Sequence, residues 1–211
     1  MSIADIRKDY QLKSLAESEV SKSPFDQFSI WWEEAVQSAI VEVNAMALST
    51  VSPEGRPSSR IVLLKGYNEE GFVFFTNYTS DKGKQIAHNG HVSLLFFWKE
   101  LERQVRIEGV ATQVAAEESD AYFDSRPVGS RLGAWASPQS QKIADREILD
   151  KELEKVTAQF SEQSIPRPPH WGGYRVRPTR IEFWQGRSSR LHDRILYEQV
   201  DENWQISRLA P

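Results

Sequence analysis

Apolar positions along the chain follow one period and then another. In the stretch 23–41, Phe28, Trp31, Trp32, Ala35, Val36 and Ala39 recur at helical spacing behind Asp26, a residue type that caps helix N-termini, and predict an amphipathic helix packed on the body. From Ala45 the period shortens. "AMALSTV", "SSRIVLLKGY", "FVFFTN", "HVSLLFFW" and "LERQVRIEGVATQVAA" predict five strands in about 70 residues. The turns "SPEGRP" and "NEEG" and the segment "YTSDKGKQIAHNG" separate them, the last with room for a short helix. Two helical stretches follow, "AEESDAYFDSR" and "SQKIADREILDKELEKVTAQF". The second carries Leu149, Leu153, Val156 and Phe160 on one stripe, and Glu147 four positions before Lys151. "SIPRPPHWGG" reads as a linker or surface loop, after which "YRVRPTRIEFWQG", "RILYEQV" and "WQISRLA" return to strand. Strands that leave, pass through helices and return predict a mainly β fold, a β-barrel with flanking helices. Residues 1–22 lack apolar periodicity and read as a mobile arm, leaving 23–211 as a single domain.

Composition narrows the class. A chain of 211 residues buries a core without staples, and it has no cysteine for a disulfide, a thiolate metal site or a nucleophile. The polar, mixed-charge opening "MSIADIRKDYQLKSLAESEV" is neither a signal peptide nor a membrane span, so the expectation is a soluble cytoplasmic protein. With 26 basic against 30 acidic residues the net charge is −4, which argues against a nucleic-acid coat driven by counterion release. Any anion site is therefore local.

Several local clusters qualify. "GRSSRLHDR" puts three arginines and a histidine into nine positions. Were it extended, Arg190, His192 and Arg194 would share one face as a cationic comb about 13 Å long; a solvated hairpin edge is the plainer alternative. "RIVLLK" brackets a run that is apolar on both faces, as in a strand covered on both sides, with Arg60 and Lys65 about 16 Å apart and of opposite parity. One phosphate does not easily engage both, so two anionic groups are implied if both residues are functional. In "YFDSRPVGS", Tyr122, Arg126 and Ser130 stand at steps of four, but Pro127 and Gly129 favour a helix end followed by a turn. Two hydroxyls and a guanidinium there suit a phosphate monoester, or simply a solvated helix terminus. In "LERQVRIEG", Gln104 shares the wetter face with Glu102, Arg106 and Glu108, where an amide can read the edge of a heterocycle. No GxGxxG, P-loop or GxSxG is present, so a phosphate would be held by side chains, and nothing supports a hydrolase triad. His88 and His91 flank Asn89-Gly90, which favours a turn over a metal-binding helix face.

Taken in order, "RIVLLK", "FFTN", "LERQVRIEG", "YFDSRP", "GAWASPQS", "WGGYRV", "IEFWQG", "RLHDR" and "ISRLAP" resemble the pyridoxine/pyridoxamine 5′-phosphate oxidase family. The resemblance implies a split β-barrel that binds FMN, of the flavin reductase/PNP oxidase-like type. It also implies a homodimer with FMN at the subunit interface, and oxidation of the vitamin phosphates to pyridoxal 5′-phosphate with O2 as acceptor. Carried over residue by residue, it implies that Arg60, Ile61, Val62, Leu63, Leu64, Lys65, Phe75, Thr76, Lys82, Gln104, Gln139, Ser140, Trp184 and Arg194 serve FMN. Lys65, Tyr122, Arg126 and Ser130 would clamp the substrate phosphate. Arg190 and His192, with Leu191 between them, would face the pyridine ring as the catalytic pair, and Arg7, Lys8, Asp9 and Tyr10 belong to an arm that can cover the substrate. One departure is that the family commonly has Ser-Arg-Lys where this chain has Ser80, Asp81 and Lys82. The expectation is that Asp81 turns outward while Lys82 and Lys84 compensate. Two other classes stay open on the residues: a split-barrel flavin reductase, and a non-catalytic binder of a flavin, pyridoxal phosphate or single-stranded nucleic acid.

Overall fold

The computed structural model describes residues 2–6 and 8–211. Five α-helices and nine strands alternate along it. Helix α1 (Pro24–Gln37) leads into β1 (Ala45–Val51), β2 (Pro57–Leu63), β3 (Gly66–Asn68) and β4 (Gly71–Asn77). Helix α2 (Asp81–His88), β5 (His91–Trp98) and β6 (Arg103–Gln113) come next, then α3 (Ala116–Ser125), α4 (Val128–Ala136) and α5 (Glu147–Gln159). The chain closes with β7 (Trp171–Gln185), β8 (Asp193–Val200) and β9 (Asn203–Arg208).

All strand pairings are antiparallel, in the order β2-β1-β5-β6-β7-β4-β3, with β8 and β9 continuing from the second half of β7. Only Leu64 and Lys65 separate β2 from β3, yet these strands stand at opposite ends of that path. The sheet must therefore curl until its ends meet. The Lys65 N–H bonds to the Val73 carbonyl at 2.8 Å across the seam, and β2 comes to rest against β4. The strand predicted over 58–67 is thus two strands, broken where the chain crosses the seam. Where β6 meets β7 a bulge falls at Glu108/Gly109, and a Cβ on Gly109 would stand 2.2 Å from the Arg177 carbonyl oxygen, so a side chain is excluded there.

Phe28, Trp31, Leu48, Phe72, Phe74, Leu94, Phe96, Val105, Ile107, Ile181 and Phe183 fill the interior. Helix α1 plugs the barrel with Phe25, Phe28, Trp31 and Ala35. Its N-cap is Ser23, whose hydroxyl accepts from the N–H of Phe25 and Asp26. Asp26 sits in the first turn, where its charge still favours the helix dipole. The predicted stripe runs too far, since the helix stops at Gln37 and Val36 and Ala39 face solvent. Arg103 is buried beside Trp31, its guanidinium 4.2 Å from the ring centroid, and is neutralised by Glu34 at 2.8 Å.

Of the N-terminal segment read as an arm, residues 8–22 contact the body at several points. Leu15 is buried, the Tyr197 hydroxyl donates to the Ser21 carbonyl at 2.7 Å, and Arg208 of β9 grips Glu17 at 2.6 Å and Asp193 at 2.7 Å. The Arg208 hydrogen bond, with one from its own backbone, holds the Glu17 carboxyl down at about 2. A depressed carboxyl stabilises the fold fully above its ordinary value of 4.5, and that contribution fades as pH falls toward about 2. A carbon-detected NMR titration should place the Glu17 midpoint near 2, and Arg208→Ala should return it toward 4.5.

Candidate functional site

The seam that closes the barrel opens into a cavity of about 930 Å³, within the usual size range of small-molecule sites. Arg60, Ile61, Val62 and Leu63 of β2 line one side, followed by Lys65, and Phe75 and Thr76 of β4 stand opposite. Lys82 enters from α2, Tyr122 and Arg126 from the end of α3, Ser130 from α4, Gln139 and Ser140 from the loop beyond it, and Trp171 from β7. Among the described residues, four lining side chains are cations and none is a carboxylate. The seam explains how Arg60 and Lys65 reach one cavity despite their opposite parity, because the strand ends between them.

Arg60 and Lys82 are held by neutral groups. Arg60 donates to the carbonyls of Leu48 and Ser58 and to the hydroxyls of Thr50, at 2.6 Å, and Ser58, at 2.9 Å. Thr50 is itself fully buried and bonded to Gln85. Lys82 reaches Gln139 at 3.1 Å, and Lys65 stands 5.8 Å from the Tyr122 ring centroid. Desolvation by burial lowers the pKa of Arg60 and Lys82; Asp81 raises both in part. Asp81 is exposed and absent from the lining, as expected, and it opens α2 where an acid favours the dipole. Lys84 is also exposed and off the cavity, and of the two lysines only Lys82 lines it.

Arg126 owes its position to Pro127. The residue before a proline is driven out of the helical region, so α3 ends at Ser125, Arg126 is extended (φ −76°, ψ 148°), and Pro127 caps a second helix. The expected helix break is present, with α4 rather than a turn beyond it. Tyr122, Arg126 and Ser130 line the cavity from two helices and the joint between them. Phe75, Tyr122 and Trp171 stack nearly parallel, Phe75 to Tyr122 at 4.0 Å, and the Arg126 guanidinium lies 4.6 Å from the Trp171 ring centroid. Arg126 Nη1 is buried without a hydrogen-bond partner among the described residues, and burial lowers the pKa of the group. A guanidinium left short of an acceptor at a cavity wall is suited to an incoming anion.

The remaining predicted residues gather elsewhere. Gln104 and Trp184, with Leu95, Arg106 and Glu182, line a small cleft of about 40 Å³ at the far end of β7. Phe75 pairs with Gly173 and Gln104 with Trp184, so the two groups are separated along β7 by about 36 Å of strand. Arg194 joins the second group, held by the buried Glu182 at 2.7 Å. The comb does not form: residues 188–190 make a tight turn in which Ser189 and Arg190 have φ of 56° and 62°, and strand resumes only at Asp193. Arg190 and Leu191 are exposed on this turn. His192 Nδ1 accepts the Arg187 N–H at 3.1 Å, which leaves Nε2 as the protonated nitrogen of the neutral ring. Burial and the charge of Arg190 lower its pKa.

Of the arm residues, Tyr10 lies edge-on to Trp184 at 5.8 Å and 6.1 Å from His192, and Asp9 accepts the Ser189 N–H at 3.1 Å. Lys8 pairs with Glu102 at 3.0 Å, while Arg7 lies outside the described residues. Two expectations along β2 and its end are corrected. Leu64 points into the core, its backbone bonded to Asn44, and does not line the cavity. Ile61, expected to be covered, is 66% exposed, because nothing in this chain packs over its face of β2. Sequence reasoning missed Thr50 and Gln85 behind Arg60, Glu182 behind Arg194, and Glu102. Alternation along β1 marks Thr50 as inward, but nothing local marks its partner.

A family model described as Pyridoxamine 5′-phosphate oxidase matches residues 32–160. A second, described as the Pyridoxine 5′-phosphate oxidase C-terminal dimerisation region, matches residues 171–211. The pyridoxine/pyridoxamine 5′-phosphate oxidase of Cyanothece sp. (strain PCC 7425 / ATCC 29141) is 54% identical over 100% of this chain and 99% of its own. The protein of that name from Paraburkholderia phytofirmans is 57% identical, with the same coverage. Among solved structures, PhzG from Burkholderia lata 383, in complex with tetrahydrophenazine-1-carboxylic acid, superposes with a TM-score of 0.88 at 32% identity, covering 95% of this chain and 100% of its own. A pyridoxamine 5′-phosphate oxidase-related, FMN binding protein from Nostoc punctiforme PCC 73102 shares the fold at a TM-score of 0.71 and 19% identity, over 91% of this chain and 100% of its own. The curled sheet is therefore the split barrel, and with both parts of the family's sequence present in order, the chain belongs to the pyridoxamine 5′-phosphate oxidase family of enzymes.

Proposed function

We propose that the protein oxidises pyridoxamine 5′-phosphate and pyridoxine 5′-phosphate to pyridoxal 5′-phosphate, with FMN as cofactor and O2 as electron acceptor. The observation that carries this reading is the cavity with Arg60, Lys65, Lys82 and Arg126 on its walls, none in an ion pair among the described residues, within a chain of net charge −4. Elsewhere Arg103, Arg167, Arg175, Arg194 and Arg208 are each matched to a carboxylate. Four cations without counter-charge among the described residues, of which Arg60, Lys82 and Arg126 are partly desolvated, fit two phosphate monoesters, one from the cofactor and one from the substrate. The orphaned Arg126 Nη1 and the stacked Phe75, Tyr122 and Trp171 fit an anionic ester carried by a flat ring system.

In this reading Arg60 and Lys82, with Thr76, Gln139 and Ser140, hold the FMN phosphate. Lys65, Tyr122, Arg126 and Ser130 hold that of the substrate. Bound FMN would supply the two-electron acceptor that O2 reoxidises, giving hydrogen peroxide, with ammonia as a further product from the amine. The separation of Gln104, Trp184, His192 and Arg194 from the cavity supports a homodimer in which these residues complete the partner's site. The region of β7 to β9 that matches the dimerisation model carries most of them, and the bare Ile61 edge at the cavity gives such a partner an apolar surface to cover. Arg190 positions the substrate and stabilises charge at its exocyclic atom, and His192 presents the proton on Nε2 to that same atom. The docked segment before Ser23 acts as a cover over the 187–192 turn, and the remainder works as one domain in the cytoplasm.

The test is aerobic incubation of the purified protein with FMN and pyridoxamine 5′-phosphate. Aldehyde and peroxide should appear in equal amounts, and pyridoxamine without its phosphate should be a far poorer substrate. A protein that binds FMN and yields no aldehyde would reject the oxidase in favour of a carrier.

A further inference from the structure

Glu102 combines two unfavourable conditions. Its backbone is left-handed (φ 54°, ψ 42°), a region that penalises a residue with a Cβ and that glycine occupies freely. Its side chain is 2% exposed, which penalises a charge. Glycine at this position would relieve both, so the carboxylate must serve a purpose, and its contacts show which. Oε2 accepts the backbone N–H groups of Gln11 at 2.9 Å and Leu12 at 3.1 Å, and Oε1 stands 3.0 Å from Lys8 Nζ. The Glu102 carbonyl accepts the N–H of Gly186 at 2.7 Å and Nε2 of Gln185 at 3.2 Å. Side chain and backbone of one residue thus hold the arm and the end of β7 together. Burial opposes the charge, but Lys8 and the two backbone N–H groups outweigh it and keep the carboxyl below its ordinary range.

Between these two grips lies Tyr10. Its ring packs against Trp184 and His192, and against Gly186 so closely that a Cβ there would come within 2.7 Å of it. We infer that Glu102 is a positioning residue: its carboxylate clamps residues 8–12 onto the end of β7 and thereby sets Tyr10 against His192 and Trp184. The inference rests on the reading of Arg190 and His192 as the substrate-facing pair. Its chemistry is specific to a carboxylate, since only an ionised group accepts from two amides and a lysine at once.

Two variants of the full-length, flavin-loaded protein test it. Glu102→Gly removes the carboxylate and gives the backbone the residue its conformation favours, so the fold and flavin content should be retained. Glu102→Gln keeps the volume and one acceptor oxygen but not the charge, and it carries the same comparison should the glycine variant fail to fold. Tryptic cleavage after Lys8 and Lys13, followed by mass spectrometry, should accelerate at least about tenfold in Glu102→Gly, the effect of losing hydrogen bonds to a charged acceptor. The His192 midpoint, followed by NMR, should rise toward the ordinary histidine value as the arm ceases to shield the ring. KM for pyridoxamine 5′-phosphate should rise by a similar factor, with Glu102→Gln between the two proteins in all three readouts. Wild-type cleavage and an unmoved His192 midpoint would overturn the clamp. Release of the arm with unchanged KM and kcat would overturn its positioning role. If the wild-type protein itself turns over no pyridoxamine 5′-phosphate, the proposed function fails, while cleavage and the His192 titration still decide whether Glu102 holds the arm.

Discussion

Arg126→Ala is expected to raise KM for pyridoxamine 5′-phosphate about a hundredfold, equivalent to roughly 3 kcal/mol, while leaving the bound flavin in place. The magnitude follows from where the guanidinium sits. It is half-buried, it leans on Trp171 at 4.6 Å, and its Nη1 has no acceptor among the described residues, which leaves hydrogen-bonding capacity open to a ligand. Removing a desolvated charge of that kind forfeits a charge-assisted bond and leaves the phosphate of the substrate to Lys65, Tyr122 and Ser130. Arg126→Lys should recover only part of the loss, because an ammonium keeps the charge without the planar fork and cannot stack on Trp171 in the same way. Steady-state kinetics alongside the flavin-to-protein absorbance ratio separates the effects. Loss of flavin with KM intact would reverse the assignment of the two phosphate positions.

Arg60→Ala should show the complementary pattern, with FMN affinity weakened about a hundredfold and the substrate KM changed much less once flavin is saturating. Arg60 is held rigidly by the Leu48 and Ser58 carbonyls and the Thr50 and Ser58 hydroxyls, none of which neutralises it. Such a cation is already oriented before the ligand arrives, so little ordering remains to be done on binding. Titrating apo-protein with FMN and following quenching of flavin fluorescence gives the dissociation constant directly. An unchanged constant would remove Arg60 from the cofactor side of the cavity.

Much of this was legible in the residues. Alternation found every strand except the break at Leu64, because side-chain period reports which face is buried and not where a sheet's two ends must join. The helix break at Pro127 was readable from the proline's steric demand on Arg126. That a second helix follows was not, since Val128, Gly129 and Ser130 carry weak local signals and α4 is held by packing on α5 and on the loop before β7. Ser23 displaced Asp26 as the cap because Pro24 and Phe25 are buried and fix the chain's entry one turn earlier. The comb failed on positive φ at Ser189 and Arg190, which sequence alternation does not register. Among site residues, those carrying charge into the cavity were recognisable from their motifs. The residues that hold Arg60, Arg194 and the arm, namely Thr50, Glu182 and Glu102, were not, because their partners lie 10, 12 and about 90 positions away in the chain and are brought together only by the fold.

The crossing between β2 and β3 has a consequence for how the protein matures. A chain with most of its ladder in place but the seam still unzipped would possess Arg60 on one rim and Phe75 on the other, with no bowl between them. Ligand uptake therefore requires a closed seam. Saturating FMN or a phosphorylated vitamer should act as a latch across the zipper, raising resistance to unfolding in proportion to the logarithm of its concentration.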